Sequence, residues 1–459
     1  MSGMLPPIPT SPRASLALRL SGGLNAPLSI LAASFHATCA LPSTDEPALA
    51  LTRACSWLAA ALPTDVDLAL EFALRGGHRH LAVALTSTLE PLSEAAGEAV
   101  SAALALLPPG WGFPYAAPPS FEPLPPPLLF DFASFLHAPA CDADALHARA
   151  GLACPGRSPP TPDAPLPPLL IRRIPPQVTR QRAQADVGFV LWPCSLPLAR
   201  WVVAHRGPLL GCPARRRVLE LGSGVGLVGL VAGLCALPPF CGAGGGCGCG
   251  CALGDQPARV TLSDFNPAVL ANLRHNAALN DPFLHAAHAG GGGDAEDAWG
   301  ARVLGALAQG ARCKEPLFRT IALDWEADAG GEPGAAPPED DAPYDLILGS
   351  DIICSDADAA MVAGVLARRL APRGRGLGVV CSPPPFNRWG IGALPGALAA
   401  AGLAWEERVV DAAFLADAYV APGGAGEAEA GARGRALAED VCVGSGFEQG
   451  CRLWLVSRP

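Results

Sequence analysis

The stretch Arg217-Val218-Leu219-Glu220-Leu221-Gly222-Ser223-Gly224-Val225-Gly226-Leu227-Val228-Gly229-Leu230 decides the fold. Val218 to Leu221 reads as a short buried strand, three glycines follow at alternating positions, and an apolar segment of helical length comes after them. This order predicts a strand, a tight turn and a helix. The glycines let the backbone turn sharply and approach a ligand, and the helix start aims free N–H groups and a positive dipole end at whatever is bound.

A dinucleotide turn of the form G-x-G-x-x-G, counted from Gly222, needs glycine at position 227, where this chain has Leu227. The glycines instead fall at 222, 224 and 226 behind Glu220. This E-x-G-x-G-x-G order resembles motif I of the seven-strand S-adenosylmethionine-dependent methyltransferases. The resemblance implies an α/β fold with a Rossmann-like seven-strand sheet and S-adenosylmethionine as cofactor. It also implies that Gly222, Ser223, Gly224 and Gly226 surround the methionine end, with Glu220 placed to attract its ammonium group.

Downstream, Arg259 to Ser263 reads as the second strand, ending at Asp264, and Phe265-Asn266-Pro267 opens a helix that runs to Leu279-Asn280. An acid at that strand tip can accept from both hydroxyls of a ribose, which makes Asp264 the ribose candidate. Its distance from Glu220 is about twice the ~20 residues usual for such a unit, and the Gly/Cys-rich insert Cys235 to Pro257 accounts for the surplus. Asp264-x-Asn266 with the following L-x-x-L-x-x-N-x-x-L-N resembles the post-I motif of the same enzymes. An Asp or Asn here also suits a plain helix N-cap. Phe318 to Leu323 is a third strand, and the resemblance implies that Asp324 accepts from the adenine amino group while Trp325 packs on the base. Tyr344 to Cys354 contains the fourth strand, apolar on both faces, with Ser350 and Asp351 at its carboxyl end, where open α/β sheets bind ligands. Asp351 is the candidate catalytic residue. The family pattern there is D-x-x-Y, and Cys354 stands in place of the tyrosine.

Upstream, Gly188-Phe189-Val190-Leu191-Trp192-Pro193 resembles the segment that leads into the catalytic domain of the "methyltransferase-like 21" type of protein-lysine methyltransferases and their elongation-factor relatives. There the tryptophan lies near the cofactor, which assigns that place to Trp192; packing against the first helix is the alternative. The remaining expected elements are a strand from Gly376 to Cys381, a helix from Ala393 to Ala401, a strand from Trp405 to Val410 and a closing strand from Arg452 to Val456. The resemblance implies that the last two pair antiparallel. Pro383-Pro384-Pro385-Phe386 imitates an N-P-P-Y motif but follows the wrong strand, so it is expected to be a loop.

At 459 residues the chain exceeds one ordinary core, while 52 glycines and 49 prolines point to linkers and low-complexity inserts. Residues 1–44 fit a disordered tail and also an organelle transit segment, having no acid before Asp45. Residues 45–154 read as a helical accessory region with a helical piece from Phe130 to Ala150. Residues 155–176 read as a proline-rich linker and 177–459 as the methyltransferase domain. A net charge of −10 without a basic block disfavours nucleic acid, and no run is long and apolar enough to span a membrane. The sixteen cysteines read as reduced thiols in a cytoplasmic protein. Cys247, Cys249 and Cys251 sit closer together than a C-x-x-C knuckle with no histidine near, and His78 and His80 flank Arg79 with no carboxylate or cysteine partner, so no metal is expected.

The resemblance as a whole implies methyl transfer to a lysine of a large protein substrate, such as a translation elongation factor or a chaperone. A small-molecule or nucleic-acid methyltransferase, or a binding module that keeps the fold without the activity, are the alternatives.

Overall fold

The computed structural model describes residues 5–9, 46–64, 90–104, 128–130, 169–172, 188–210, 217–237, 259–281, 316–331, 342–372, 375–384, 390–410 and 451–459, with single positions between 27 and 81. The expectations for His78 and His80, for Cys241 to Cys251, for most of the tail and of the helical piece after Phe130, and for Pro385-Phe386 fall outside these residues. The chain divides into two compact units, 1–125 with 174–187 and 126–173 with 188–459.

In the first unit, α1 (Glu46–Ala61) packs along α2 (Glu90–Leu104). The Ala/Leu-rich spacing puts Leu51, Cys55, Leu58 and Leu62 on one buried stripe, closed by Phe72, Ala96 and Ala99. Trp57 Nε1 donates to the Pro6 carbonyl at 2.7 Å, which ties an N-terminal residue to this core. Burial pushes the Cys55 thiol up to about 12, so it behaves as a small apolar side chain.

The second unit begins with a hairpin, β1 (Leu128–Phe130) and β2 (Leu169–Ile171), paired antiparallel. This corrects the sequence expectation at two points, since Phe130 starts no helix and Leu169–Ile171 is not linker. Leu128 to Phe130 and Leu169 to Ile171 are short apolar runs that pair with each other, Leu128 opposite Ile171 and Phe130 opposite Leu169. Leu169 and Ile171 are buried in the main core.

Next come α3 (Ser195–Ala204), α4 (Arg206–Leu210), β3 (Arg217–Leu221), α5 (Leu227–Cys235), β4 (Arg259–Asp264), α6 (Pro267–Asn280), β5 (Phe318–Ala322), α7 (Trp325–Gly330), β6 (Leu346–Ser350), α8 (Asp356–Arg369), β7 (Leu377–Ser382), α9 (Leu394–Ala400), β8 (Ala404–Val410) and β9 (Cys451–Ser457). The seven strands β3 to β9 form one sheet in the order β5-β4-β3-β6-β7-β9-β8. The first five run parallel, β9 pairs antiparallel with β7, and β8 antiparallel with β9.

The strands alternate between two apolar layers, as a pleated sheet covered on both faces requires. Val218, Val260, Leu262, Leu346, Leu348 and Val379 join the core under α3 and α5. Leu219, Leu221, Ile321, Ile347, Val380 and Trp454 join the one under α8 and α9. On that second face Asp328 in α7 receives both Arg369 Nε, at 2.8 Å to Oδ2, and Nη2, to Oδ1, and both side chains are buried. This two-point bond fixes α7, and hence Trp325, on α8. Strand order reverses between β3 and β6, so a crevice opens beyond their carboxyl ends.

Candidate functional site

The glycine turn after β3 has the left-handed geometry its sequence predicts, with φ of 56°, 53° and 90° at Gly222, Gly224 and Gly226. Any side chain would be strained there. At Gly222 a Cβ would also stand 3.0 Å from Ile352 and 3.1 Å from the Trp325 ring, which places that ring beside the turn. At Gly224 it would stand 3.1 Å from the Gly188 carbonyl, so the segment containing Trp192 crosses the turn. Asn276 of α6 clamps the turn from behind, donating to the Val225 carbonyl at 2.9 Å and to the Arg172 carbonyl at 3.2 Å while accepting from Arg172 N at 2.9 Å. The third polar residue of the post-I pattern is therefore a structural clamp.

Asp264 lies at the tip of β4 beside this turn. Its Oδ2 accepts from Gly224 N at 3.2 Å and its Oδ1 from Asn266 N at 3.0 Å. A carboxylate offers about four lone-pair positions, so two amides fix it and leave acceptor capacity for a diol. Burial raises its pKa, opposed by the amides of Asn266, Gly224 and Phe265. Ser223 and Ser263 knit β3 to β4: Ser223 N donates to the Ser263 carbonyl at 2.8 Å, Ser263 N to Ser223 Oγ at 3.0 Å, and Ser263 Oγ to the Glu220 carbonyl at 2.6 Å. Ser263 was not singled out from the sequence; its place one residue before the acid was the available signal.

Three predicted ligand residues turn out to have structural partners. Glu220 lies on the sheet face that α5 covers, only 2% exposed, with its carboxyl against Gly229. Burial pushes it up to about 8, against the pull of the Ser223 hydroxyl and the Gly229 and Val228 amides, so it is largely neutral at pH 7. Its Oε2 has no hydrogen-bond partner among the described residues. Burial under α5 disfavours the charged form that would attract an ammonium group. Asn266 caps α6, its Oδ1 accepting from Ala268 N at 2.9 Å and Val269 N at 3.4 Å. Asp324 likewise caps α7, its Oδ1 accepting from Glu326 N at 2.9 Å and Ala327 N at 3.4 Å.

Asp351 follows β6, across the crevice from Gly222. Its φ of 55° is the only positive value at a non-glycine among the described residues, a conformation that L residues hold at a cost of order 1–3 kcal/mol. Two backbone contacts impose it: Asp351 N donates to the Cys381 carbonyl at 2.9 Å, and Cys194 N donates to Asp351 Oδ2 at 2.6 Å. The segment from Gly188 to Cys194 thus runs from the glycine turn to Asp351. Trp192 on it is half-buried, its carbonyl accepting from Ser195 N at 3.1 Å and from Ser195 Oγ. Ser350, half-buried, sits opposite Cys381 in the β6–β7 ladder. Cys354 is half-buried, its N–H donating to Asp358 Oδ2 at 2.9 Å. It offers a thiol where an aromatic wall was expected.

The turn, an acid at the tip of β4 and an acid after β6 thus meet around one crevice of a seven-strand sheet. The family model of lysine methyltransferases matches residues 176–289. That segment holds the glycine turn, Asp264 and the whole of α6. The chain is similar to the human protein-lysine N-methyltransferase EEF2KMT, 27% identical over 187 residues, which are 40% of this chain and 41% of that protein. It is equally similar to human FAM86B1, 27% identical over 192 residues, 42% of this chain and 43% of that one. The matched part spans less than half of either relative. A Burkholderia thailandensis protein crystallised with S-adenosyl-homocysteine has a TM-score of 0.33 at 13% identity, over 59% of this chain and 78% of that one. The sheet is the seven-strand α/β arrangement expected from the sequence, and the family model that matches part of it describes lysine methyltransferases.

Proposed function

We propose that this protein transfers the methyl group of S-adenosylmethionine to a lysine of a protein substrate. The observation that supports it most is the meeting of Gly222–Gly226, Asp264 and Asp351 at the strand-order reversal. Gly222 and Gly224 give backbone close approach, Asp264 takes the ribose hydroxyls, and the Trp325 ring beside Gly222 offers an aromatic surface for the base. The bound cofactor supplies a sulfonium-linked methyl group open to in-line displacement. The protein's task is then to align the acceptor and keep its amine neutral at the point of attack. Asp351, pinned at both its backbone and its carboxylate, attracts the incoming ammonium and orients the amine after deprotonation.

The substrate class is read from the matched family, with a translation factor or chaperone as the preferred target and the cytoplasm as the place of action. Incubation with tritiated cofactor and cell extract tests it. Label on protease-sensitive, nuclease-resistant material is expected. Label that survives protease and disappears with nuclease excludes a protein acceptor, and label on low-mass material that survives both treatments points to a small molecule. The half-buried Cys354 favours a second reading, a binding module without activity, which predicts cofactor binding and no label in any fraction.

A further inference from the structure

Three cysteines far apart in the chain meet beneath Asp351. Cys194 stands just before α3, Cys381 lies in β7 and Cys451 opens β9. Cys381 pairs opposite Leu453, which puts it diagonal to Cys451 on one face of the sheet, and Cys194 packs onto both from that face. The three sulfurs all lie within 4.8 Å of one another, and all three residues are 0% exposed. Cys194 Sγ is 3.7 Å from Cys451 Sγ. A disulfide needs about 2.05 Å. Two sulfurs bound at about 2.3 Å to one tetrahedral ion stand about 3.8 Å apart, and about 4.0 Å apart in a trigonal site.

We propose that Cys194, Cys381 and Cys451 form a three-thiolate site for a single soft, closed-shell metal cation, copper(I) or zinc(II). An all-sulfur donor set selects such ions over calcium, magnesium or manganese, which take oxygen. No histidine or carboxylate completes the group among the described residues, so a trigonal ion fits without a further protein ligand. Binding replaces the thiol protons by the cation: a divalent ion with three thiolates releases three protons and leaves one net negative charge. The cation supplies the counter-charge that isolated thiolates in a buried site would lack. The same two cysteines that reach Asp351 take part, Cys194 through its N–H and Cys381 through its carbonyl. A bound ion therefore clamps both supports of the strained Asp351 together. Metal content is read without cofactor or acceptor, so this site stands or falls apart from the proposed methyl transfer.

Cys247, Cys249 and Cys251 offer a rival set of thiols and must be removed from the test. In the full chain carrying Cys247→Ser, Cys249→Ser and Cys251→Ser, zinc is titrated against a chromophoric chelator and copper(I) against bathocuproine disulfonate without oxygen. The expected result is one ion per chain, with three sulfur neighbours by X-ray absorption; the metal that holds against its chelator identifies the ion. Adding Cys381→Ser or Cys451→Ser should weaken binding by about 100-fold or more. No stoichiometric binding of either metal, fewer than three sulfurs around a bound ion, or unchanged affinity in the serine variants would overturn the site. If those variants do not fold, the sulfur count in their parent still decides.

Discussion

Asp351 is the proposed catalytic residue. Asp351→Asn keeps an oxygen for the Cys194 N–H but removes the charge, so methyl transfer should fall by about 100-fold while cofactor affinity stays nearly unchanged. Single-turnover kinetics beside calorimetric titration separates the two. Glu220 makes a different kind of prediction. Its folded pKa of about 8 lies above its unfolded value, so between the two the native state holds the extra proton. Stability from this group is therefore full at low pH and declines as pH rises toward 8, by at most about 1.4 kcal/mol per pH unit. Glu220→Gln should flatten the fall in melting temperature between pH 5 and pH 8, and an unchanged slope would mean the carboxyl is not buried as described. At this scale the sequence was informative about position and less so about partner. Glu220, Asn266 and Asp324 stand where a ligand residue is expected, yet an Asx before a helix meets two free amides in its own turn, and a carboxyl on the covered face of a strand meets the next helix. Ligand and cap share the same residue types, and only the local geometry separates them.

Among the elements, α6 matters beyond its place in the sheet. Asn276 joins α6, the β2 end at Arg172 and the glycine turn through Val225. Asn276→Ala removes three buried hydrogen bonds, to the Val225 carbonyl and to Arg172 N and O, and should lower stability by about 1–3 kcal/mol, measured by urea unfolding. Cofactor affinity should fall with it, because the turn loses its rear support. The parallel strands and their order of appearance were legible because apolar runs ending in Gly222, Asp264 and Asp351 mark strand tips, while the antiparallel pairing of β8 with β9 followed from the family resemblance and that of β9 with β7 was not expected. The β1–β2 hairpin was not, since three-residue strands set among prolines have the texture of linker. Its buried Leu169 and Ile171 show that apolar residues between prolines can still be core.

At the scale of the whole molecule, the sheet turns distant sequence into one site. Cys194, Cys381 and Cys451 carried no signal in the chain because their meeting depends on the register of β7 with β9 and on where the segment before α3 lands. The cysteines of the insert are close in sequence, while the cluster is made by pairing across the fold. Asp351 shows the same logic: its anchor on Cys194 lies 157 residues earlier in the chain and its backbone partner Cys381 lies on the next strand, brought together only by folding. The proposed cofactor site holds S-adenosylmethionine through the turn and Asp264. Isothermal titration of the full chain tests it most directly. A single saturable site is predicted, weakened by at least about tenfold in Asp264→Ala; absence of binding in the unaltered chain, or full affinity in the variant, would contradict it.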